Sequence, residues 1–394
     1  MTEPQSGMKK VWELVNNRSS RVIDLRNAGY KVMGYICIYP PVELLTAFDL
    51  IPYRLFGDSR EAVTEADRVL TPVVCPFLRS IIDLGMKGRF DFLDGMIGAH
   101  TCDIGSVAVH LWRDYVPSPS FVHFLDVPHT DHQPAIQFFE KQIRHLAKAL
   151  ENFTGRSLSV TKLNEAISLH NRQRTLVRDL YNFRKSDPPL ITGTEIQAVL
   201  MAVFSLPVRE GNQLLEAVIG EIGSRVPGEK GDAVRLMLWG SVLDDIHLFE
   251  AIEEGNARVV IDDTCVGTRA FWADVGMNGD PFAALTHRYL VEINCPRTYR
   301  QAPDAGLRKN YEEDIAARYG YLIPLLREWH AEGVILQSVL YCDTHGYEIP
   351  HIARFLDGQG IPHLYLEHDY SGTSGAQIRN RLEAFIEMVQ AQRH

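Results

Sequence analysis

Three cysteines stand where the chain leaves an apolar run: Cys342 after 333–340, Cys75 after 70–74 and Cys102 after 92–101. The run before Cys342 is mostly apolar and partly β-branched, as in a strand covered on both faces of a parallel sheet. A thiol just past such a strand lies on the carboxyl edge of the sheet, where open α/β folds bind ligands. Thiols delivered in this way can converge on one crevice. Thiolates are soft ligands that suit iron-sulfur clusters, zinc or copper(I), and the spacings here are not those of a CxxC zinc ribbon. The other role open to each cysteine is that of a small buried hydrophobe. Three in equivalent positions favour the ligand role.

The remaining cysteines complete a total of six. Cys37 ends the first apolar strand, Cys265 follows the Asp262-Asp263 pair, and Cys295 sits in Asn294-Cys295-Pro296-Arg297. Glu43, just past Cys37 and the Pro40-Pro41 turn, can donate a proton near this crevice or simply favour the first turn of a helix. Asp262 and Asp263 can order the Cys265 loop as aspartates do in turns. His100, His345 and His351 flank cysteines and can supply protons or hydrogen bonds that tune a metal centre. Of these side chains, Glu43 and His345 are the candidate catalytic residues. Arg269, Arg297 and Arg300 can pair with sulfide, phosphate or acidic neighbours.

The elements that must position these residues follow from periodicity. Residues 8–28 read as an amphipathic helix. Strands are expected at 31–37, 91–98, 120–127, 234–241, 258–264, 333–341 and 363–367, with a helix from Val42 to Phe48. Between 133 and 230 the period becomes helical, with Phe139, Ile143, Leu146 and Leu150 on one face and Leu163, Ile167, Leu176 and Leu180 on another. The expected fold is α/β: two parallel-sheet subdomains of flavodoxin or Rossmann type, a helical insertion and an N-terminal helix. The boundaries are 1–30 for the helical arm, 31–132 for the first α/β subdomain, 133–230 for the helical subdomain and 231–394 for the second α/β subdomain. Gly240-Ser241 offers a weak phosphate seat at a helix N-terminus.

The sequences 34–45, 50–54, Cys342-Asp343 and 379–387 resemble the 2-hydroxyacyl-CoA dehydratase and benzoyl-CoA reductase family, with the likeness running from about residue 30 to the C-terminus. The resemblance implies a 4Fe-4S cluster on Cys75, Cys102 and Cys342, with the fourth iron open or carrying a non-protein ligand. The six cysteines further resemble the double-cubane members, whose two cubanes share a sulfide in an 8Fe-9S cluster. On that reading Cys37, Cys265 and Cys295 hold the second cubane. The alternative is that these three line the pocket around a single one.

The resemblance also implies partners. A paralogous subunit or a second copy of the chain would complete the enzyme, a CoA thioester could be bound, and a separate ATP-hydrolysing iron-sulfur activator would supply low-potential electrons. That agrees with the absence of any GxxxxGK[ST] or GxGxxG motif, so neither ATP nor a dinucleotide has a site in this chain. Gly372-Thr373-Ser374-Gly375 is too short to count as one. The expected function is an iron-sulfur subunit of an ATP-dependent benzoyl-CoA-reductase-type complex. The alternatives are a homodimeric double-cubane reductase of small molecules and an (R)-2-hydroxyacyl-CoA dehydratase subunit.

The net charge of -10 argues against nucleic acid or an anionic membrane as a general partner. No run approaches a transmembrane length, and residues 1–10 lack the apolar core of a signal peptide. Six cysteines without disulfide-scaffold spacing suit a reducing cytoplasm.

Overall fold

The computed structural model describes residues 6–119, 121–229, 231–300, 310–370 and 375–393. Its strands form two parallel four-stranded sheets. The first contains β1 (Lys31–Tyr35), β2 (Leu50–Arg54), β3 (Gly95–Ala99) and β4 (Phe121–Leu125), in the order β2-β1-β3-β4. The second contains β5 (Val234–Gly240), β6 (Ala257–Asp263), β7 (Gly333–Val339) and β8 (His363–His368), in the order β6-β5-β7-β8. Both therefore repeat the strand order that begins a flavodoxin-like fold, with its switch point between the first and third strands. The central strands β3, β5 and β7 are buried along their whole length. Their predominantly apolar runs are what helices on both faces require.

Local chemistry accounts for the departures from the expected elements. The arm is two helices, Gly7–Asn16 and Ser20–Asn27, because Asn17 takes a non-helical backbone and closes the first. The strand expected from Asp91 starts only at Gly95. Before it, the Asp94 carboxylate accepts the Val32 backbone N–H at 2.8 Å and ends the turn. Strand β2 has no counterpart among the expected strands. It carries Pro52, which is compatible with its place at the sheet edge. Of the expected strand 120–127, Ser120 lies outside the described residues, as do Met1–Gln5, Lys230 and residues 372–374 of the final loop.

Between the sheets in sequence lie four helices, Gln133–Thr154, Val160–Asn182, Gly193–Val203 and Val208–Gly223. The first of them and the start of the second pack against the first sheet, where Phe139, Ile143 and Ile167 share a core with Met33, Tyr35 and Ile97. The rest join the second sheet, where Leu180, Tyr181, Val199 and Leu200 share a core with Met237, Trp239, Val260 and Leu336. Among the described residues no helix is long and apolar enough to cross a membrane. The phosphate seat expected at Gly240-Ser241 does not form at a helix start. The Ser241 hydroxyl lies 3.3 Å from Gln337 Oε1 and accepts the Val339 backbone N–H, and the next helix begins only at His247.

Candidate functional site

The carboxyl edges of the two sheets meet. Val339, the last residue of β7, is buried in the core beneath the first sheet, and Val242, just beyond β5, packs against three separate cores. All six cysteines are free thiols, buried or half-buried.

Cys75, Cys102 and Cys342 share one local device. Each is the N-cap of a helix: Pro76–Met86, Asp103–Tyr115 and Asp343–Gly346 respectively. Pro76 suits the first helical position, where its missing N–H is not needed. The exposed amides of a helix start point at the cap, and the helix dipole favours negative charge there. Accordingly, the Gly105 N–H donates to Cys102 Sγ at 3.3 Å. Backbone amides of Leu78 and Phe77 face Cys75, and that of His345 faces Cys342. Cys75 differs from the expected placement in one respect: it follows a loop and a short 3-10 turn at Ala66–Arg68, well past β2.

Cys37, Cys265 and Cys295 are held differently, and none of them caps a helix. Cys37 lies beyond β1 with φ 72°, in the left-handed region. Cys265 is in the turn after β6, and Cys295 follows the π-helical turn His287–Glu292. Their positive neighbours are guanidinium groups. Arg269 Nη1 lies 3.8 Å from Cys265 Sγ, and Arg54 Nη1 donates to the Cys265 carbonyl at 2.7 Å.

The electrostatics group the thiols in the same way. Burial pushes Cys37 up to about 12, with Cys265 and Cys295 adding to the rise. Burial likewise pushes Cys75 up to about 12, with a contribution from Cys102. Cys342 is raised well above the ordinary thiol range by burial and then by Cys75, Cys102 and Cys265. Each set thus takes two thiols from one sheet and one from the other, and the sets adjoin at Cys342 and Cys265.

A buried bridge joins them. His345 Nδ1 lies 3.5 Å from Cys342 Sγ, and its Nε2 lies 3.0 Å from Arg269 Nη1. Arg269 is clamped by Asp263, with Nε to Oδ1 and Nη2 to Oδ2 both at 3.2 Å, and donates to the Gly240 carbonyl at 2.7 Å. Burial, and then the Arg269 charge, lower the His345 pKa well below the usual imidazole range, so the ring is neutral. A guanidinium can only donate, so Nε2 facing it is an acceptor and Nδ1 carries the proton toward the sulfur. The Gly240 carbonyl also faces the ring and would be the partner of the opposite tautomer.

The other candidates have defined partners. Glu43 is fully buried, paired with Arg174 and accepting the Tyr289 hydroxyl at 2.8 Å. Burial alone would raise its pKa, but Arg174, His170 and Arg288 outweigh this and hold it at about 2. Asp262 accepts from Tyr181 at 2.8 Å and pairs with Arg184 at 3.1 Å. His100 lies 2.8 Å from Asp126, and His351 lies 2.6 Å from the Tyr311 hydroxyl. Arg297 braces the Cys102 loop against that of Cys295, donating to the carbonyls of His100 (2.6 Å), Thr101 (3.2 Å), Pro128 (2.6 Å) and Val127. Arg300 ties the Cys295 loop to the carbonyls of Val291 and Ile293 at 2.6 and 2.5 Å.

Sequence reasoning does not single out Arg54, which ends the 50–54 segment but carries no local signal of its own. The helix caps do have one: Cys-Pro and Cys-Asp at the start of a helical pattern. Among the described residues, no group of three or more His, Cys, Asp or Glu side chains is arranged to hold a metal ion. A cubane is a larger object that takes thiolates on separate irons. Three neighbouring thiols facing amide or guanidinium donors are a donor set that fits it.

A family model described as 2-hydroxyglutaryl-CoA dehydratase, D-component, matches residues 37–389. One of the subunits of benzoyl-CoA reductase from Thauera aromatica is 27% identical over 366 residues, covering 91% of each chain. A putative dehydratase subunit of Escherichia coli is 26% identical over 382 residues, covering 93% of this chain and 94% of its own. The beta subunit of (R)-2-hydroxyglutaryl-CoA dehydratase of Acidaminococcus fermentans is 24% identical over 363 residues, with coverages of 92% and 93%.

Proposed function

Because the chain belongs to the 2-hydroxyglutaryl-CoA dehydratase D-component family, we propose that it is an iron-sulfur subunit whose two cysteine sets hold two cubanes, separate or fused. Its task is to pass single low-potential electrons within a reductase complex of the benzoyl-CoA reductase type. The observation that carries this reading is the pair of adjoining thiol sets at the sheet junction, Cys75, Cys102 and Cys342 beside Cys37, Cys265 and Cys295.

Bound iron-sulfur clusters supply one-electron transfer at a potential set by charge, burial and hydrogen bonds to sulfur. The chain's own groups act on those terms. The helix-start amides offset negative charge at the first set, and Arg54 and Arg269 offset it at the second. His345 presents Nδ1–H to Cys342. Glu43, ionised and paired with Arg174, orders the region behind Cys37. With no nucleotide motif in the chain, ATP hydrolysis belongs to a separate activator. The relatives' names as subunits support a paralogous partner.

A second reading, a stand-alone homodimer that reduces small molecules, is favoured by one observation. The cavity lined by Tyr35 and Ile38, on either side of Cys37 in the chain, is only about 60 Å³, while an apolar cavity of about 150 Å³ is what holds one benzene.

Anaerobic iron and acid-labile sulfide analysis of the isolated, fully loaded chain tests the cluster assignment. About eight irons per chain are expected from two cubanes. A value near four, with Cys37, Cys265 and Cys295 open to alkylation, would reduce the proposal to one cluster.

A further inference from the structure

Behind Cys37 lies a narrow cavity lined by Arg54, Gln173, Arg174, Arg288, Tyr289 and Phe204 among others. Its charge is unbalanced. Arg174 is neutralised by Glu43, and the nearby Asp274 is taken by Arg178. Among the described residues, Arg54 and Arg288 have no carboxylate partner, though each is only 2% exposed. Arg288 directs Nε and Nη2 to the carbonyls of Ala273 (3.2 Å) and Ala270 (2.5 Å), which leaves Nη1 without a protein partner among the described residues. Arg54 uses Nη1 on the Cys265 carbonyl and otherwise lies over the Phe204 ring at 4.7 Å. Burial, with the Arg174 charge adding to it, lowers Arg288 to about 10. His170, lowered to about 4 by burial, adds no charge at neutral pH.

Buried charges in folded proteins are paired or hydrogen-bonded. A second observation points the same way. Gln173 is 9% exposed and lines the cavity, yet its side-chain amide has no protein partner among the described residues. Two guanidinium groups that lack a carboxylate partner, Arg54 shared with the Cys265 side and Arg288 with Nη1 free, together with a carboxamide around a space of about 60 Å³, are the elements of a pocket for a small oxyanion. Arg54 joins this pocket to Cys265, so an occupant would lie next to the second cysteine set.

We propose that this cavity binds a small monoanion, a short carboxylate or similar oxyanion, held by Arg288, Arg54 and Gln173 and excluding aromatic acids. The inference rests on the cavity and not on the cluster assignment, and the test separates the two.

Anaerobically purified full-length protein, its iron content measured in each sample, is titrated calorimetrically with formate, acetate and benzoate in chloride-free buffer. Formate and acetate are expected to saturate one site per chain, and benzoate to give no heat. Arg288→Gln should weaken formate binding roughly tenfold or more, and Gln173→Leu should weaken it with the iron content unchanged. Glu43→Gln, which frees the Arg174 charge, should tighten it. Should the Glu43 or Arg288 variant fail to fold, Gln173→Leu and the benzoate comparison still decide. Absence of saturable formate binding to wild type, equal binding of benzoate, or unaltered affinity in Gln173→Leu would overturn the proposal. Low iron with intact formate binding would count only against the cluster reading.

Discussion

The two cysteine sets sit at the same sheet junction but are held in opposite ways. Cys75, Cys102 and Cys342 each open a helix, so the groups that favour negative sulfur are backbone amides. Cys37, Cys265 and Cys295 lie in turns, where the positive groups are the side chains of Arg54 and Arg269. Backbone amides come with any sequence that keeps the helix start. Guanidinium groups are individually replaceable. The first set should therefore tolerate change in its surroundings, and the second should depend on two buried guanidinium side chains.

The strongest test of this contrast removes a ligand. Cys102→Ala or Cys342→Ala is expected to lose one cubane, about half of the iron, together with stability around three separate loops. Iron analysis and thermal unfolding would report both, and full iron in either variant would contradict the ligand assignment. Cys295→Ser should instead lose the second cubane and keep the first.

Next in size is Arg269→Met. It leaves Asp263 buried without its cation, which typically costs about 3–5 kcal/mol. The expected outcome is loss of the second cubane with the first retained, measured by iron content and by EPR of the reduced protein. Loss of the first cubane in preference to the second would break the comparison.

Glu43 gives a smaller, pH-resolved effect. Its folded pKa, about 2, is below the ordinary 4.5, so its stabilisation is present above pH 4.5 and is lost as the pH falls toward 2. By linkage a depression of this kind is worth a few kcal/mol, roughly 1.4 for each unit. Denaturant unfolding across that window should show wild type losing more stability than Glu43→Gln. Parallel curves would mean that Glu43 is not held ionised by Arg174.

The smallest expected change is that of His345→Gln. Iron content should stay constant while the reduction potential of the first cubane moves, because one hydrogen bond to sulfur is altered. A direct check is nitrogen NMR of histidine-labelled protein, in which the His345 signal should report protonation at Nδ1. Protonation at Nε2 would reassign the ring to the Gly240 carbonyl.

Much of this arrangement is legible in the sequence because buried parallel strands leave a simple trace. The runs that form β1, β3, β6 and β7 are largely apolar and bounded by turns, and Cys37, Cys102, Cys265 and Cys342 follow them. The edge strand β2 is harder. Pro52 in β2 masks a strand that only its place in the sheet explains, and Cys75 is displaced from that strand by a long loop. Sequence can nominate Glu43 and His345 but not their partners. Arg174 and Arg269 reach them from distant segments, and such meetings are fixed by tertiary packing rather than by local pattern. For the same reason Arg54 and Gln173 carry no signal of a shared cavity.

Each set's two-plus-one division between the sheets bears on how the protein is made. Domains emerge and fold from the N-terminal side during synthesis, so the first sheet, with Cys37, Cys75 and Cys102, is complete on the ribosome while the second is unmade. Neither set has its third thiol until Cys295 and Cys342 have been added. On the proposed reading, cluster insertion is then a late, post-translational event, and the nascent first sheet must keep its thiols reduced and its carboxyl edge covered until the second arrives to close over them.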